Sequence, residues 1–100
     1  MIKHVVMWVF KDFAENNKKE KNIEIAEKKI SALKDLVDVI KFIEVGVNIN
    51  ESDAAYDLVL ICEFDNLDDL DEYQNHSEHK KAAAFIKKVV DKRAVVDYEI

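Results

Sequence analysis

The sequence lacks proline and has only one glycine, Gly46, and one cysteine, Cys62, in 100 residues. Glycine-rich nucleotide loops need several glycines, so a P-loop and a dinucleotide-binding fingerprint are both excluded. A lone cysteine forms neither an intramolecular disulfide nor a cysteine-based zinc site, and it suits a reducing compartment, so we predict a cytoplasmic protein. No stretch approaches the ~18 apolar residues of a membrane helix, and the apolar N-terminus lacks a secretory cleavage site.

The charge balance is acidic, with 15 lysine and arginine residues against 21 aspartate and glutamate residues and a net charge of −6. Such a chain is a poor ligand for phosphate backbones, so we do not expect nucleic acid as a partner. Apolar residues make up 49% of the sequence, which is typical of a globular domain. The length and the absence of internal repeats predict one domain over residues 1–100.

Two segments have apolar residues at both odd and even positions. In the first, residues 2–10, Val6 and Trp8 alternate with Val5 and Met7. The second, residues 56–64, has the same character, and both therefore predict strands buried on two sides. We also predict a strand over residues 39–47, with a bulge or bend at Gly46, and a final strand over residues 93–100.

Helical periodicity fills two of the intervals between these strands. After a loop at residues 11–17, with a capping box formed by Asn17 and Glu20, apolar residues recur every three or four positions. They are Ile23, Ala26, Ile30, Leu33 and Val37. A second helical region is split, with Asn66 capping a short helix that ends near Asn75 and Ser77 capping the next. The buried stripe of that last helix is Ala82, Phe85, Ile86, Val89 and Val90.

The resulting order predicts an α+β fold, a ferredoxin-like βαββαβ sandwich with helices on one face of an antiparallel sheet. The other face would carry five apolar side chains: Val5, Met7, Val9, Val59 and Ile61. A patch of this kind is larger than a monomer normally exposes. We therefore predict a homodimer packed sheet to sheet.

Histidine and tyrosine are the strongest candidates for catalytic or ligand-binding side chains. His4, Tyr73 and His79 would converge on one pocket if the His4 face of the first strand looks toward the helices. A histidine there could transfer protons near neutral pH, and a tyrosine could orient an oxygen. The alternative is structural, since a histidine near a helix start often binds backbone groups and a tyrosine on a short helix usually packs.

Other chemistries have less support in the residues. His76 and His79 are three positions apart, but the predicted cap at Ser77 separates them, and we predict no metal site. The acidic run over residues 63–72 lacks the glycine and ligand spacing of an EF-hand, and it fits a solvated helix start. Cys62 lies in an apolar strand, where an inert thiol is expected.

Several segments together resemble the stress-responsive dimeric α/β-barrel (Dabb) domain family. They are residues 2–6 (IKHVV), 42–48 (FIEVGVN), 56–58 (YDL) with 63–64 (EF), 73–79 (YQNHSEH) and 95–99 (VVDYE). The resemblance implies a ferredoxin-like subunit in a homodimer whose two sheets form a barrel. One family member is a polyketide cyclase in which a tyrosine and a histidine catalyse an intramolecular aldol condensation, and these match Tyr73 and His79. The sequence departs from the family at Ser77, where members carry proline, and at Leu58, where the cyclase has a pocket histidine.

We therefore predict a dimer that binds a small apolar or aromatic molecule between the helices and the sheet, without a cofactor. The expected ligand-binding residues are His4, Val6, Trp8, Leu58, Leu60 and His76. If the protein is an enzyme, His79 would be the general base and Tyr73 would orient the substrate oxygen, in a cofactor-free cyclase or lyase. The third alternative is a purely structural, stress-protective dimer.

Overall fold

The computed structural model describes residues 1–100. In chain order the elements are β1 (Ile2–Phe10), β2 (Phe13–Ala14), β3 (Asn17–Lys18), α1 (Lys19–Ser31), α2 (Leu33–Leu36), β4 (Phe42–Val47), β5 (Leu58–Phe64), α3 (Leu67–Asn75), α4 (Ser77–Val89) and β6 (Val90–Glu99). No helix is long and apolar enough to span a membrane.

The four long strands form one antiparallel sheet in the order β4-β5-β1-β6. The helices lie on one face of this sheet and bury the inward side chains of β1 and β5. The second helical region is split into α3 and α4, with the break at His76. This topology confirms the predicted α+β, ferredoxin-like βαββαβ arrangement.

Side chains alternate strictly between the two faces of β1. Even-numbered residues such as Val6 and Trp8 are buried under the helices, whereas odd-numbered residues such as Val5 and Met7 are only half-buried. The five apolar residues predicted for the second face all lie there, because Val5 pairs with Ile61, Met7 with Val59, and Val9 is in phase with them. From β6, Ala94, Val96 and Tyr98 join them. We call this surface, away from the helices, the open face.

The segment predicted as a loop at residues 11–17 contains a small hairpin, β2 with β3. Its turn residues Glu15 and Asn16 have φ values of 51° and 61°, the left-handed conformation of a tight hairpin turn. The predicted capping box is wrong, because helix α1 begins after Lys18 with no side-chain cap. The Asn17 amide instead donates to the Glu15 carbonyl at 3.1 Å. The sequence did not predict this hairpin, because its turn lacks the Asn-Gly pair that usually marks one.

The predicted strand over residues 39–47 is shorter in the structure and begins at Phe42. Val37 and Ile40 fill the core between α2 and the sheet, and a turn joins the Ile40 N–H to the Val37 carbonyl at 3.3 Å. The predicted irregularity at Gly46 is also wrong, since Gly46 pairs regularly with Val59. The sheet's bulge lies between Val9 and Phe10 where they meet β6.

The helix α4 begins differently from the prediction. Asn66 caps α3 as expected, accepting a hydrogen bond from the Asp69 N–H at 2.8 Å. The predicted Ser77 cap is wrong, because the imidazole Nδ1 of His76 accepts the Glu78 N–H at 3.1 Å and Ser77 is the first helical residue. At the other end, Val90 begins β6 instead of closing the stripe of α4.

Candidate functional site

His4 is held in a fixed orientation inside the protein. It lies on β1, is 2% exposed, and its Nδ1 is 2.5 Å from a carboxylate oxygen of Asp97 on the neighbouring strand β6. The register explains this contact, because His4 and Asp97 are cross-strand partners. A carboxylate accepts a hydrogen bond from the Nδ1–H group and thereby fixes the imidazole tautomer and its ring plane. Sequence reasoning missed Asp97, since only the pairing of β1 with β6 brings it to His4.

Tyr73 stands between the two histidines. Its ring centroid is 6.2 Å from that of His4 and 4.5 Å from that of His79, in edge-on arrangements. Helix α3 supplies Tyr73 and helix α4 supplies His79, so the short break between the helices positions both. The structure therefore brings together the three residues that the sequence placed in one pocket.

Burial keeps the Tyr73 hydroxyl protonated. It raises the pKa of Tyr73 far above its usual range, the neighbouring Cys62 thiol raises it further, and the positive charge of Arg93 opposes the shift weakly. Burial also raises the pKa of Cys62 to about 12, so the thiol is unreactive at neutral pH. Tyr73 can therefore donate a hydrogen bond but cannot act as a base.

His79 is the titratable group best suited to take up a proton. Burial lowers its pKa below the usual 6.5, the charges of His4, Arg93 and His76 lower it further, and the Gln74 carbonyl opposes the shift. Its Nδ1 is buried and has no hydrogen-bond partner. At neutral pH His79 is therefore a neutral imidazole, the form that can accept a proton.

These groups line a cavity of about 580 Å³ between the helices and the sheet. Its apolar walls come from the sheet, from α1 and α2, and from α4: Val6, Trp8, Leu60, Ile30, Leu33, Ala82 and Ile86. Trp8 is one wall of this cavity and does not fill it. The arrangement combines a largely apolar surface with a few polar groups, which is typical of a small-molecule site.

Six of the eight predicted site residues line the cavity, namely His4, Val6, Trp8, Leu60, Tyr73 and His79. Leu58 does not; it lies at the start of β5, opposite Trp8, and is packed into the core. His76 also lies outside, since its imidazole caps α4. The histidine, cysteine and acidic side chains form no group of three that could hold a metal ion.

The mouth of the cavity carries charged residues that sequence reasoning missed. They are Lys87 at the end of α4 and Asp91, Lys92 and Arg93 at the start of β6. Arg93 lies opposite Trp8 in the pairing of β6 with β1 and therefore on the helix side of the sheet. The buried indole Nε1 of Trp8 has no hydrogen-bond partner.

Comparison with known proteins places this geometry in a family. The family model for the stress responsive A/B barrel domain matches residues 2–100. A dimeric protein of unknown function with a ferredoxin-like fold from Bacteroides fragilis is 33% identical, with a TM-score of 0.84 over 99% of this chain and 95% of its own. A protein from Arabidopsis thaliana is 26% identical, with a TM-score of 0.83 over 100% and 95% of the two chains.

More distant likeness extends to an enzyme. The hydroxynitrile lyase from Passiflora edulis is 14% identical, with a TM-score of 0.82 over 99% of this chain and 92% of its own. At that level of identity the likeness shows the fold alone. No curated protein gave a significant match.

Proposed function

The chain belongs to the stress responsive A/B barrel domain family, and on this basis we propose that it acts as a homodimer that binds a small apolar or aromatic molecule in each subunit. The observation that carries the proposal is the cavity of about 580 Å³ lined by Val6, Trp8 and Leu60. We further propose that residues 1–100 act as one domain in the cytoplasm, without a nucleic-acid partner.

The open face supports the homodimer. Its centre is apolar, with Met7 flanked by Val59 and Ala94 on the neighbouring strands, and Lys3 and Glu63 lie toward one end. An apolar centre with a polar rim is the usual anatomy of a protein interface. The Bacteroides fragilis relative is described as dimeric. Pairing of two open faces would leave the cavities on the outer, helix-covered sides accessible.

The dimensions of the cavity support a small ligand. Its volume of about 580 Å³ lies within the ~300–1,000 Å³ that is common for ligand sites. Tyr73 and His79 are uncharged at neutral pH, so an aromatic ring beside them meets little electrostatic penalty. A purely structural dimer would have no need for such a space.

Two alanines in α4 give a matched test of the cavity. Both are exposed, but Ala83 lines the cavity and its neighbour Ala84 does not. We expect 1-naphthol to shift the single indole N–H resonance of Trp8 in NMR spectra of the wild-type protein. Ala83→Phe fills the site and should weaken binding by about tenfold or more, an energy of about 1.4 kcal/mol. Ala84→Phe adds the same side chain outside the cavity and should bind as the wild type does.

Equal affinity in the wild type and both variants would place the probe elsewhere and contradict the proposal. If neither 1-naphthol nor other apolar probes of similar size bind at all, the structural, stress-protective dimer becomes the better explanation.

A second candidate function, cofactor-free proton transfer, is favoured by one observation. His79 is a neutral imidazole 4.5 Å, between ring centroids, from a tyrosine that stays protonated. His79 could take a proton from a carbon next to a carbonyl while the Tyr73 hydroxyl donates to the carbonyl oxygen, on which the negative charge develops. Return of the proton from His79 would complete the cycle. The same two roles would serve a cyclase or a lyase.

Deuterium exchange into the methyl group of acetophenone in D₂O tests this second candidate directly. General-base catalysis contributes ~10²–10⁴-fold, so His79→Gln should reduce the exchange rate by about 100-fold or more. Tyr73→Phe should reduce it less, by about tenfold, because the one hydrogen bond that is lost contributes about 1.4 kcal/mol. An exchange rate that is the same in His79→Gln as in the wild type would remove His79 as the base.

A further inference from the structure

The mouth of the cavity differs in charge from the protein as a whole. Two basic residues, Lys87 and Arg93, and one acidic residue, Asp91, line it, although the chain has a net charge of −6. Lys92 also borders the cavity, but it pairs with Val9 and therefore lies on the open-face side of β6. Cations gathered at the entrance of an apolar cavity in an acidic protein favour a ligand with an anionic end, because such a ligand is attracted to this mouth and repelled elsewhere.

Arg93 is the cation most available to a ligand. The Lys92 ammonium lies 5.2 Å from the centre of the Tyr56 ring, and this contact already engages it. The side chain of Arg93 takes part in no hydrogen bond or ion pair within the chain, and neither does that of Lys87. Arg93 lines the same cavity as Tyr73 and His79, and its charge contributes to the lowered pKa of His79.

The side chains of Arg93 and Trp8 indicate that the anionic end of the ligand is a carboxylate. Arg93 is the only arginine in the chain, and its planar guanidinium binds a carboxylate through two parallel hydrogen bonds. Trp8, its cross-strand partner, is 5% exposed and its indole N–H lacks an acceptor. An indole N–H only donates, so both groups call for acceptor oxygens on the ligand.

We propose that the cavity selects a small hydrophobic carboxylate, whose apolar part lies against Val6, Leu60 and Ile86 and whose carboxylate binds Arg93 at the mouth. This inference rests on the proposed function, since it names the chemical class of the ligand for the same cavity. Lys87 adds a second positive charge at the end of α4, and the single carboxylate of Asp91 offsets only one of these two charges.

Three probes with the same eight-carbon chain separate the head group from the tail: octanoate, 1-octanol and octylamine. Trp8 is the only tryptophan and lines the cavity, so its fluorescence reports binding, and calorimetry gives the affinity. At neutral pH octanoate should bind about tenfold more tightly than 1-octanol, and octylamine should bind more weakly than both. Arg93→Gln should reduce octanoate binding to about the level of 1-octanol while leaving 1-octanol unchanged.

A matched control removes the same charge elsewhere. Lys80 is exposed on α4 and does not line the cavity, so Lys80→Gln should bind octanoate as the wild type does. Equal binding of octanoate and 1-octanol, or an unchanged preference in Arg93→Gln, would overturn the inference while leaving an apolar-ligand site intact. If none of the three probes binds and 1-naphthol also fails, the proposed function itself is wrong, and the inference falls with it.

Discussion

Replacing Met7 with lysine should dissociate the proposed dimer. Met7 lies at the centre of the open face, on the inner strand β1, with Val59 on one side and Ala94 on the other. It is half-buried in a single subunit, so pairing of two open faces would bury the remainder of its side chain. Full burial of a methionine is worth ~1.5–3 kcal/mol, and the part lost in the variant is therefore about 1 kcal/mol.

The introduced ammonium adds a larger cost. Burying a charge without a partner costs at least about 2 kcal/mol even after the surroundings relax. In a twofold-symmetric dimer each substitution occurs twice, so the total is about 6 kcal/mol. At ~1.4 kcal/mol per tenfold change, the dimer dissociation constant should rise by about 10⁴-fold.

Sedimentation equilibrium over a range of protein concentrations measures this change. Leu36→Lys is the control, because Leu36 is 48% exposed on α2, in the helix layer away from the open face. It should dimerise as the wild type does. A Met7→Lys protein that stays dimeric with an unchanged dissociation constant, or a Leu36→Lys protein that dissociates, would show that the open face is not the dimer interface.

Three further predictions concern single groups inside the chain. His79 should titrate below pH 6.5 in NMR measurements. Because its pKa is lower in the folded than in the unfolded state, His79 should reduce the free energy of unfolding as the pH falls below about 6.5. His79→Gln should remove that part of the acid sensitivity. Titration of His79 at or above that pH would contradict the burial argument. Cys62, fully buried with a pKa of about 12, should react with a thiol reagent only after unfolding in urea, and rapid labelling of the native protein would disprove its burial. Asn22, fully buried on α1, donates to the Ala14 carbonyl at 2.9 Å, so Asn22→Ala should lower the free energy of unfolding by ~1–3 kcal/mol in urea titrations. A loss below about 0.5 kcal/mol would mean that this hydrogen bond does not anchor the β2–β3 hairpin.

Periodicity was sufficient to predict the sheet and its two apolar faces. The alternation of Val5 and Met7 with Val6 and Trp8 is a local property of the chain, and burial on both sides of a strand leaves few other arrangements. The helix cap formed by Asn66 could also be predicted, because its hydrogen-bond partner Asp69 is only three residues away. The convergence of His4, Tyr73 and His79 was predicted on the condition that the His4 face of the first strand looks toward the helices, and in the structure it does.

Features that depend on distant contacts could not be predicted in this way. The pairing of His4 with Asp97 joins residues 93 positions apart, and its existence depends on the register of β1 with β6. Arg93 reaches the cavity mouth for the same reason. Asn22 is polar and was left out of the buried stripe, because only the β2–β3 hairpin supplies the carbonyl that satisfies its amide.

The residue that caps α4 could not be predicted from sequence preferences. Both His76 and Ser77 can accept a backbone N–H, and serine has the higher general preference for a cap position. The structure places the cap one residue earlier, at His76. Because its imidazole caps α4, His76 does not line the cavity, whereas His79, in the first turn of the same helix, does.

The location of a bound aromatic probe decides whether the helix-side cavity is the ligand site. Intermolecular nuclear Overhauser effects between 1-naphthol and the dimeric protein report which side chains touch the ligand. We expect contacts with Val6, Trp8 and Ile86, on the walls of the helix-side cavity. Contacts confined to Val5 and Val59 on the open face would contradict this expectation, because the probe would then occupy the surface that we assign to the second subunit.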